Sequence, residues 1–203
     1  QIQYNYMDRE HQAGEKGYAL AERLGVPMVI MEPIKGGSLA VLPEDIAAMY
    51  KNADPQASVS SWALRWVGTH PNVKVILSGM STYDQVLDNL NTFENYKSLN
   101  VEEQKLVDQV AKTIKSRVKN GCTGCRYCMP CPFGIDIPKN FAIWNHEAMY
   151  GNPEAAKKKY ERELSESARA DQCRKCGACE KECPQAIAIR QDLVRVAEDF
   201  KNM

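Results

Sequence analysis

The sequence has no excess of charge of either sign and no long hydrophobic run. Lys plus Arg and Asp plus Glu each number 26, so no overall positive field would attract nucleic acid or an anionic membrane. No run approaches the roughly 18 to 20 apolar residues that cross a bilayer, and the N-terminus lacks the basic-then-apolar pattern of a secretory signal. These absences predict a soluble, intracellular protein without a nucleic-acid or membrane partner.

The sequence also lacks a start methionine and any clustered histidines. Gln1 enters directly on a predicted strand, and we expect the chain to be the later part of a longer polypeptide. His11, His70 and His146 are isolated from a second ligand and from a Ser or Cys partner. This predicts surface or capping roles for them and not a catalytic triad.

Cysteine is absent before residue 122, and all eight cysteines follow in two blocks. Bunching at two-residue intervals favours a metal site over a disulfide framework. The second block, residues 173–184, reads C-x2-C-x2-C-x3-C-P, which is the run of bacterial ferredoxins. The first block, residues 122–132, repeats the scheme with one residue fewer before its last cysteine. The pattern predicts two 4Fe-4S clusters bound by all eight cysteines.

The fourth cysteine of each ferredoxin run ligates the other cluster, which predicts crossed ligand sets. The predicted sets are Cys122, Cys125, Cys128 and Cys183 for one cluster, and Cys173, Cys176, Cys179 and Cys131 for the other. The shorter first block leaves open that Cys131 folds back onto its own loop. Zinc is a further alternative, since C-x2-C pairs also form zinc knuckles, but zinc gives no reason for a third cysteine or the following proline. Residues 135–137 and 187–189 would shield sulfur from water.

Residues 1 to about 90 alternate short apolar runs with amphipathic stretches, which predicts parallel βα units. Strands are predicted at 2–6, 27–31 and 73–77, and helices at 15–24 and 58–67. Trp62 and Trp66 lie four apart on the second helix, where core packing is favoured over a stacking platform.

A long amphipathic helix at 101–119 is predicted to bridge the two halves of the chain. Further helical stretches at 140–149 and 154–167 separate the cysteine blocks. The predicted buried positions of the bridging helix are Val101, Leu106, Val110, Ile114 and Val118.

Three segments, QIQYN at 1–5, PMVIMEPIKGG at 27–37 and VILSGMSTYDQVLDNL at 75–90, resemble the aldo/keto reductase family. With the cysteine blocks, the chain resembles the subgroup that appends a 4Fe-4S domain to the barrel. The resemblance implies an α/β fold class, with the last three βα units (strands 6–8) of a (β/α)8 TIM barrel in residues 1–115. It implies an α-helical ferredoxin-like dicluster domain in residues 116–203.

The same resemblance implies an NADPH cleft at the C-terminal ends of the strands, where barrel ligands bind. Gln1 would hydrogen-bond the nicotinamide carboxamide, the loop at 32–37, which includes Lys35, would lie along the pyrophosphate, and the stretch after the third strand would enclose the 2′-phosphate and adenine. Met31 stands where the family usually places an aromatic. The implied cofactor-binding residues are Gln1, Glu32, Pro33, Ile34, Gly36, Gly37, Ser78, Gly79, Met80, Ser81, Gln85, Asp88 and Asn89.

The family's catalytic Asp, Tyr, Lys and His lie on strands that precede Gln1, so the resemblance implies no catalytic residue in this chain. It implies the C-terminal part of an NADP-dependent oxidoreductase for carbonyl or alcohol substrates, inactive by itself, with electron transfer through two 4Fe-4S clusters. The expected partners are the N-terminal remainder of the barrel, a small carbonyl substrate and a one-electron redox protein. The alternatives are an electron-transfer module with the barrel remnant as scaffold, or a structural metal domain. Thiolate-rich clusters need a reducing compartment, which predicts the cytoplasm.

Overall fold

The computed structural model describes residues 1–94 and 96–203, which divide into two compact units, Gln1–Ile114 and Lys115–Met203. Among the described residues, no helix is both long and apolar enough to cross a membrane. The regular elements are β1 (Ile2–Gln3), α1 (Gly14–Arg23), β2 (Met28–Met31), α2 (Glu44–Ala53), α3 (Val59–Gly68), β3 (Val73–Ile76), α4 (Tyr83–Glu94), α5 (Val101–Ser116), α6 (Ile137–Tyr150), α7 (Pro153–Glu163), α8 (Ala178–Lys181) and α9 (Ile189–Asn202).

The first unit contains a small parallel sheet with the strand order β1-β2-β3. Ile2 pairs with Ile30, and Ile30 pairs with Ile76 on its other side. Helices accompany the sheet throughout this unit, which confirms the mixed α/β class. The first strand is shorter than the predicted 2–6, although the Tyr4 N–H still donates to the Met31 carbonyl oxygen at 3.2 Å.

The core of the first unit is built around tryptophan and tyrosine. Trp62 is fully buried and stacks on Tyr50, with ring centroids 4.8 Å apart. Trp66 is also buried, which confirms that both tryptophans pack in the core. Ser58 caps the helix that carries them, since its side-chain oxygen accepts the Ser61 N–H at 3.1 Å. Full burial of a large apolar side chain in this core contributes about 1.5–3 kcal/mol to the free energy of unfolding.

Of the two roles predicted for His70, surface or capping, the structure shows the capping one. It is half-buried, and its ring packs edge-on against Tyr4, Tyr18 and Trp66. Its Nδ1 lies 2.9 Å from the Trp66 carbonyl oxygen at the end of α3. The residue therefore combines a capping position with aromatic packing that the isolated histidine in the sequence does not reveal.

The buried face of α5 differs from the predicted one. Val110 and Ile114 are buried as predicted, but Val101 is 65% exposed and Val118 is 39% exposed. The helix ends at Ser116, so Val118 lies beyond its last turn. The buried stripe follows the three- and four-residue spacing of one helix face and consists of Val107, Val110, Ala111 and Ile114.

The second unit is a helical core formed by α6, α7 and α9. Gly151 adopts a left-handed conformation at the end of α6, and Asn152 then caps α7 by accepting the Ala155 N–H at 3.0 Å. This Gly-Asn-Pro sequence ends one helix and starts the next. Helix α9 was not predicted. It contributes an apolar face of Ile189, Leu193, Val196 and Phe200 to the core.

Candidate metal centre and cofactor cleft

The eight cysteines of the second unit line two separate cavities, and none of them forms a disulfide. In each cavity, three cysteines of one block stand with the fourth cysteine of the other block. The first cavity is lined by Cys122, Cys125, Cys128 and Cys183. The second cavity is lined by Cys131, Cys173, Cys176 and Cys179.

The cysteine loops adopt left-handed backbone conformations between their thiols. Gly124 and Arg126 have φ angles of 71° and 66° in the first loop, and Lys175 and Gly177 have φ angles of 55° and 81° in the second. Left-handed residues turn successive N–H groups toward the inside of a loop, where they bind anions. Accordingly, the Lys175 N–H donates to the Cys173 sulfur at 3.4 Å. The loops therefore present both thiols and N–H donors to whatever fills the cavities.

Apolar side chains line both cavities beside the thiols. Ile137 is 1% exposed and lines both cavities. Ile135 lines the second cavity, whereas Ile187 and Ile189 line the first. The residues predicted to shield sulfur thus lie beside the thiols, where they lower the local dielectric.

Burial raises the pKa of three of the thiols. It raises the pKa of Cys122 and Cys128 above the ordinary thiol value, and neighbouring thiolates, among them Cys183, add to the shift. Burial also raises the pKa of Cys179 to about 11. Crowded thiols with raised pKa values, such as these three, bind protons when no cation is present, so metal binding must release those protons. The site therefore suits a group with high positive charge.

The arrangement differs from that of a single-ion site. Throughout 1–94 and 96–203, no three His, Cys, Asp or Glu side chains form a group that could hold one metal ion. Zinc draws thiolates to about 2.3 Å from one centre. Here the thiols surround cavities instead, which suits a group larger than an ion.

Two polar networks, which sequence reasoning missed, fix the cysteine loops to the helices. Asn145 on α6 accepts the Asn120 N–H at 3.2 Å and donates to the Asn120 carbonyl at 2.9 Å. The Asn120 side chain accepts the Cys122 N–H at 3.2 Å. In the second network, buried Asn140 donates to the Ala168 carbonyl at 2.9 Å, just before the second cysteine loop. Only the folded chain brings these asparagines to their partners.

A cleft of about 690 Å³ lies in the first unit, between the loops that follow β2 and β3. All of the predicted cofactor-binding residues line it except Gln1, which is exposed and outside it. The lining residues that belong to the prediction are Glu32, Pro33, Ile34, Gly36, Gly37, Ser78, Gly79, Met80, Ser81, Gln85, Asp88 and Asn89. Met31, Ala40, Val41, Ser60 and Leu77 also line the cleft and were not in the predicted set.

Several polar side chains of the cleft already have protein partners. Asp88 accepts hydrogen bonds from the Ser58 and Ser60 hydroxyls, each at 2.8 Å. Asn89 donates to the Ser78 hydroxyl at 2.8 Å. Gln85 accepts the Ser81 N–H at 2.7 Å and helps to cap α4. These contacts hold the shape of the cleft wall.

Residues that follow β1 hold the loop after β2. Asn5 is fully buried and donates to the Glu32 carbonyl at 2.9 Å. Lys35 does not line the cleft, because its amine contacts both oxygens of Asp8, at 2.6 and 2.7 Å. Burial alone would raise the pKa of Asp8, but hydrogen bonds from Lys35, Asn5 and Gln3 outweigh it and lower the pKa. Lys35 therefore stabilises the loop through Asp8 and does not face the cleft.

Comparison with known proteins assigns both units. Residues 1–112 match the aldo/keto reductase family. The chain belongs to the aldo/keto reductase family. Residues 121–188 match the 4Fe-4S dicluster domain, so the resemblance that the sequence carries is confirmed for both halves. No solved structure matches the chain.

A curated relative of this aldo/keto reductase chain is an iron-sulfur subunit of the CoB--CoM heterodisulfide reductase of Methanocaldococcus jannaschii. It is 29% identical over 187 residues, which cover 88% of this chain and 23% of the relative. The chain thus spans about a quarter of the length of that relative. Together with the two family matches, this similarity supports an iron-sulfur oxidoreductase.

Proposed function

We propose that this chain is the C-terminal part of an NADPH-linked aldo/keto reductase whose helical unit carries two 4Fe-4S clusters. The observation that carries the proposal is the sorting of the eight thiols into two cavities of four. In two-cluster ferredoxins the fourth cysteine of each run serves the other cluster. The first cluster is assigned to Cys122, Cys125, Cys128 and Cys183, and the second to Cys131, Cys173, Cys176 and Cys179.

The residues around the thiols fit such a group. Each cavity combines four sulfurs with apolar walls, and the loops offer backbone N–H donors to the sulfurs. When bound, 4Fe-4S clusters accept and release single electrons. The chain's own residues hold the thiolates apart, limit access of water and, through hydrogen bonds to sulfur, stabilise the reduced charge.

The cleft of the first unit is proposed to bind NADPH. Gly36 and Gly37 have φ angles of 58° and 89°, and no atom lies within 4 Å of a side-chain carbon added at Gly37. A backbone without side chains allows phosphate oxygens to approach N–H groups closely. The loop from Ser78 to Ser81 forms the opposite wall of the cleft. The carbonyl or alcohol chemistry requires catalytic groups that this chain does not supply.

Exposed apolar residues of the first unit support a larger barrel. A three-stranded parallel sheet leaves its outer strands unpaired, and it cannot close on itself. Apolar residues on and just after α1, and along β3 and α4, are exposed and would be covered by the remaining βα units of a (β/α)8 barrel. They are Leu20, Leu24, Val26, Val75, Leu77, Tyr83, Leu87, Leu90 and Phe93.

A second candidate function is an electron-transfer module in which the first unit is only a scaffold. Cys125 and Cys176 are exposed, one in each cavity, which would allow a redox protein to approach either cluster. A hydride carries two electrons whereas each cluster accepts one, so a carrier function does not require NADPH. The two candidates differ in whether the cleft binds the dinucleotide.

The first experiment measures iron, acid-labile sulfide and zinc in anaerobically purified protein. The proposal predicts about eight iron and eight sulfide per chain with negligible zinc. About four of each would limit the function to one cluster. Zinc without sulfide would leave a structural metal domain.

The second experiment measures NADPH binding by fluorescence on a polypeptide that includes the preceding barrel segments. Binding that is lost in a Gly37→Val variant, with iron content unchanged, supports the reductase. Full cluster content without any NADPH binding favours the electron-transfer module.

A further inference from the structure

The two thiol-lined cavities differ in the charge of their other lining residues. Arg174, Lys175 and Arg190 line the second cavity, whereas Arg126 is the cation that lines the first. Within the described residues, no Asp or Glu side chain lines either cavity. Both cavities have four thiols, so the cations are what makes them unequal.

Two of these four cations are neutralised by ion pairs, one in each cavity. Arg126 pairs with Asp136 at 3.5 Å, and Arg190 pairs with Glu180 at 2.8 Å. Each pair contributes little net charge to its cavity. Across 1–94 and 96–203, neither Arg174 nor Lys175 forms an ion pair with a carboxylate. The second cavity therefore has two uncompensated positive charges in its lining, and the first has none.

We propose that the second cavity, lined by Cys131, Cys173, Cys176 and Cys179, is where the electron resides in the singly reduced protein, because Arg174 and Lys175 stabilise the added negative charge. This inference rests on the proposed function, in which both cavities hold 4Fe-4S clusters. Arg174 and Lys175 act on the equilibrium between the two sites and are not ligands.

The physical reason is the dependence of reduction potential on local charge. Reduction adds one negative charge to a site that already has four thiolates, and nearby cations lower the free energy of that state. Both loops have N–H donors to sulfur, with Gly124 contacting Cys122 and Lys175 contacting Cys173. Backbone hydrogen bonds therefore do not distinguish the sites, whereas the side-chain charges do.

The test follows the two one-electron reductions by EPR-monitored potentiometry in the wild type and in an R174Q/K175Q variant. The variant should lower the more positive midpoint potential by at least about 59 mV. For one electron, this shift corresponds to a tenfold fall in the equilibrium constant of that reduction. The more negative midpoint should move much less. A K157Q/K158Q variant removes two charges from α7, elsewhere in the same unit, and should move neither.

Two results would overturn the inference: the R174Q/K175Q variant lowers the more negative midpoint instead, or it moves neither midpoint. If the variant loses iron, the wild type decides, because raising salt from about 0.05 to 1 M should bring the two midpoints together by screening exposed charges. An unchanged separation contradicts the inference. A wild type with fewer than two clusters contradicts the proposed function instead.

Discussion

The two units position their functional groups by different means. In the helical unit, side-chain sulfurs define the site, and short loops carry them above a packed core. In the α/β unit, backbone defines the cleft, and polar side chains such as Asp88 and Asn89 are occupied in holding its walls. A ligand site made of side chains is therefore visible in a sequence as residue spacing, whereas a site made of backbone is visible only as small residues and turns.

Removal of iron should produce the largest difference between the units. We expect the cysteine loops at 121–134 and 173–187 to lose hydrogen-exchange protection at least about a hundredfold, because metal binding supplies much of the stability of such loops. Amides of α3, around the buried Trp62, should be unaffected. Hydrogen exchange with mass spectrometry before and after anaerobic chelation measures both. Equal loss of protection in α3 would contradict the separation of the two units.

Core substitutions should act on one unit at a time. Trp144 is fully buried in the helical unit and donates from Nε1 to Asp199 at 2.7 Å, and Trp62 is fully buried in the α/β unit. Trp144→Ala and Trp62→Ala should each lower the free energy of unfolding of their own unit by about 3–5 kcal/mol. Urea unfolding followed by residue-resolved exchange tells which unit is affected.

Trp144→Phe is the matched control for the helical unit. It keeps most of the buried ring but removes the hydrogen bond to Asp199, so we expect a loss of about 1–3 kcal/mol. A loss as large as that of Trp144→Ala would mean that packing contributes little at this position.

Asp8→Asn should weaken the cleft without affecting the clusters. The substitution removes the ion pair between Asp8, which is 13% exposed, and Lys35, which is 28% exposed. We expect this to loosen the loop at 32–37. In a polypeptide with the complete barrel, we expect NADPH affinity to fall by about 1–2 kcal/mol, or roughly 5- to 30-fold. Glu10→Gln is the control, since Glu10 is exposed. Loss of iron in Asp8→Asn, or an equal effect of Glu10→Gln, would argue against a local role.

A pH change should have the smallest effect, in the α/β unit. Burial lowers the pKa of His70 from 6.5, although hydrogen bonds to the Trp66 and Val67 carbonyls oppose this. The folded unit thus favours neutral His70, so its contribution to stability is present above pH 6.5 and is lost as the pH falls below that value toward the lowered pKa. The urea concentration at the unfolding midpoint should decrease when the pH is lowered from 7.5 to 5.5. The decrease should be smaller in His70→Phe. An identical fall in the variant would assign the effect to other groups.

The sequence predicted the helical unit better at its site than in its helices. Residue spacing predicted all eight cysteines as ligands, and the structure brings them together in two cavities of four. Helix α9 was missed because its apolar face follows directly after the second cysteine block. In the α/β unit, three strands and most of the cleft lining were predicted. The buried face of α5 was wrong at Val101 and Val118, because periodicity alone does not say where a helix ends.

The sequence by itself determined the residue types and local loops of the candidate sites. Two-residue spacing brings three thiols together in one short loop, and Gly36-Gly37 leaves a wall free of side chains, since both depend on neighbouring residues only. The ferredoxin run predicted crossed sets but left open that Cys131 folds back onto its own loop. The tertiary structure decided that Cys131 lines the second cavity and that Lys35 binds Asp8. These outcomes depend on packing between segments far apart in the chain, which no local pattern specifies.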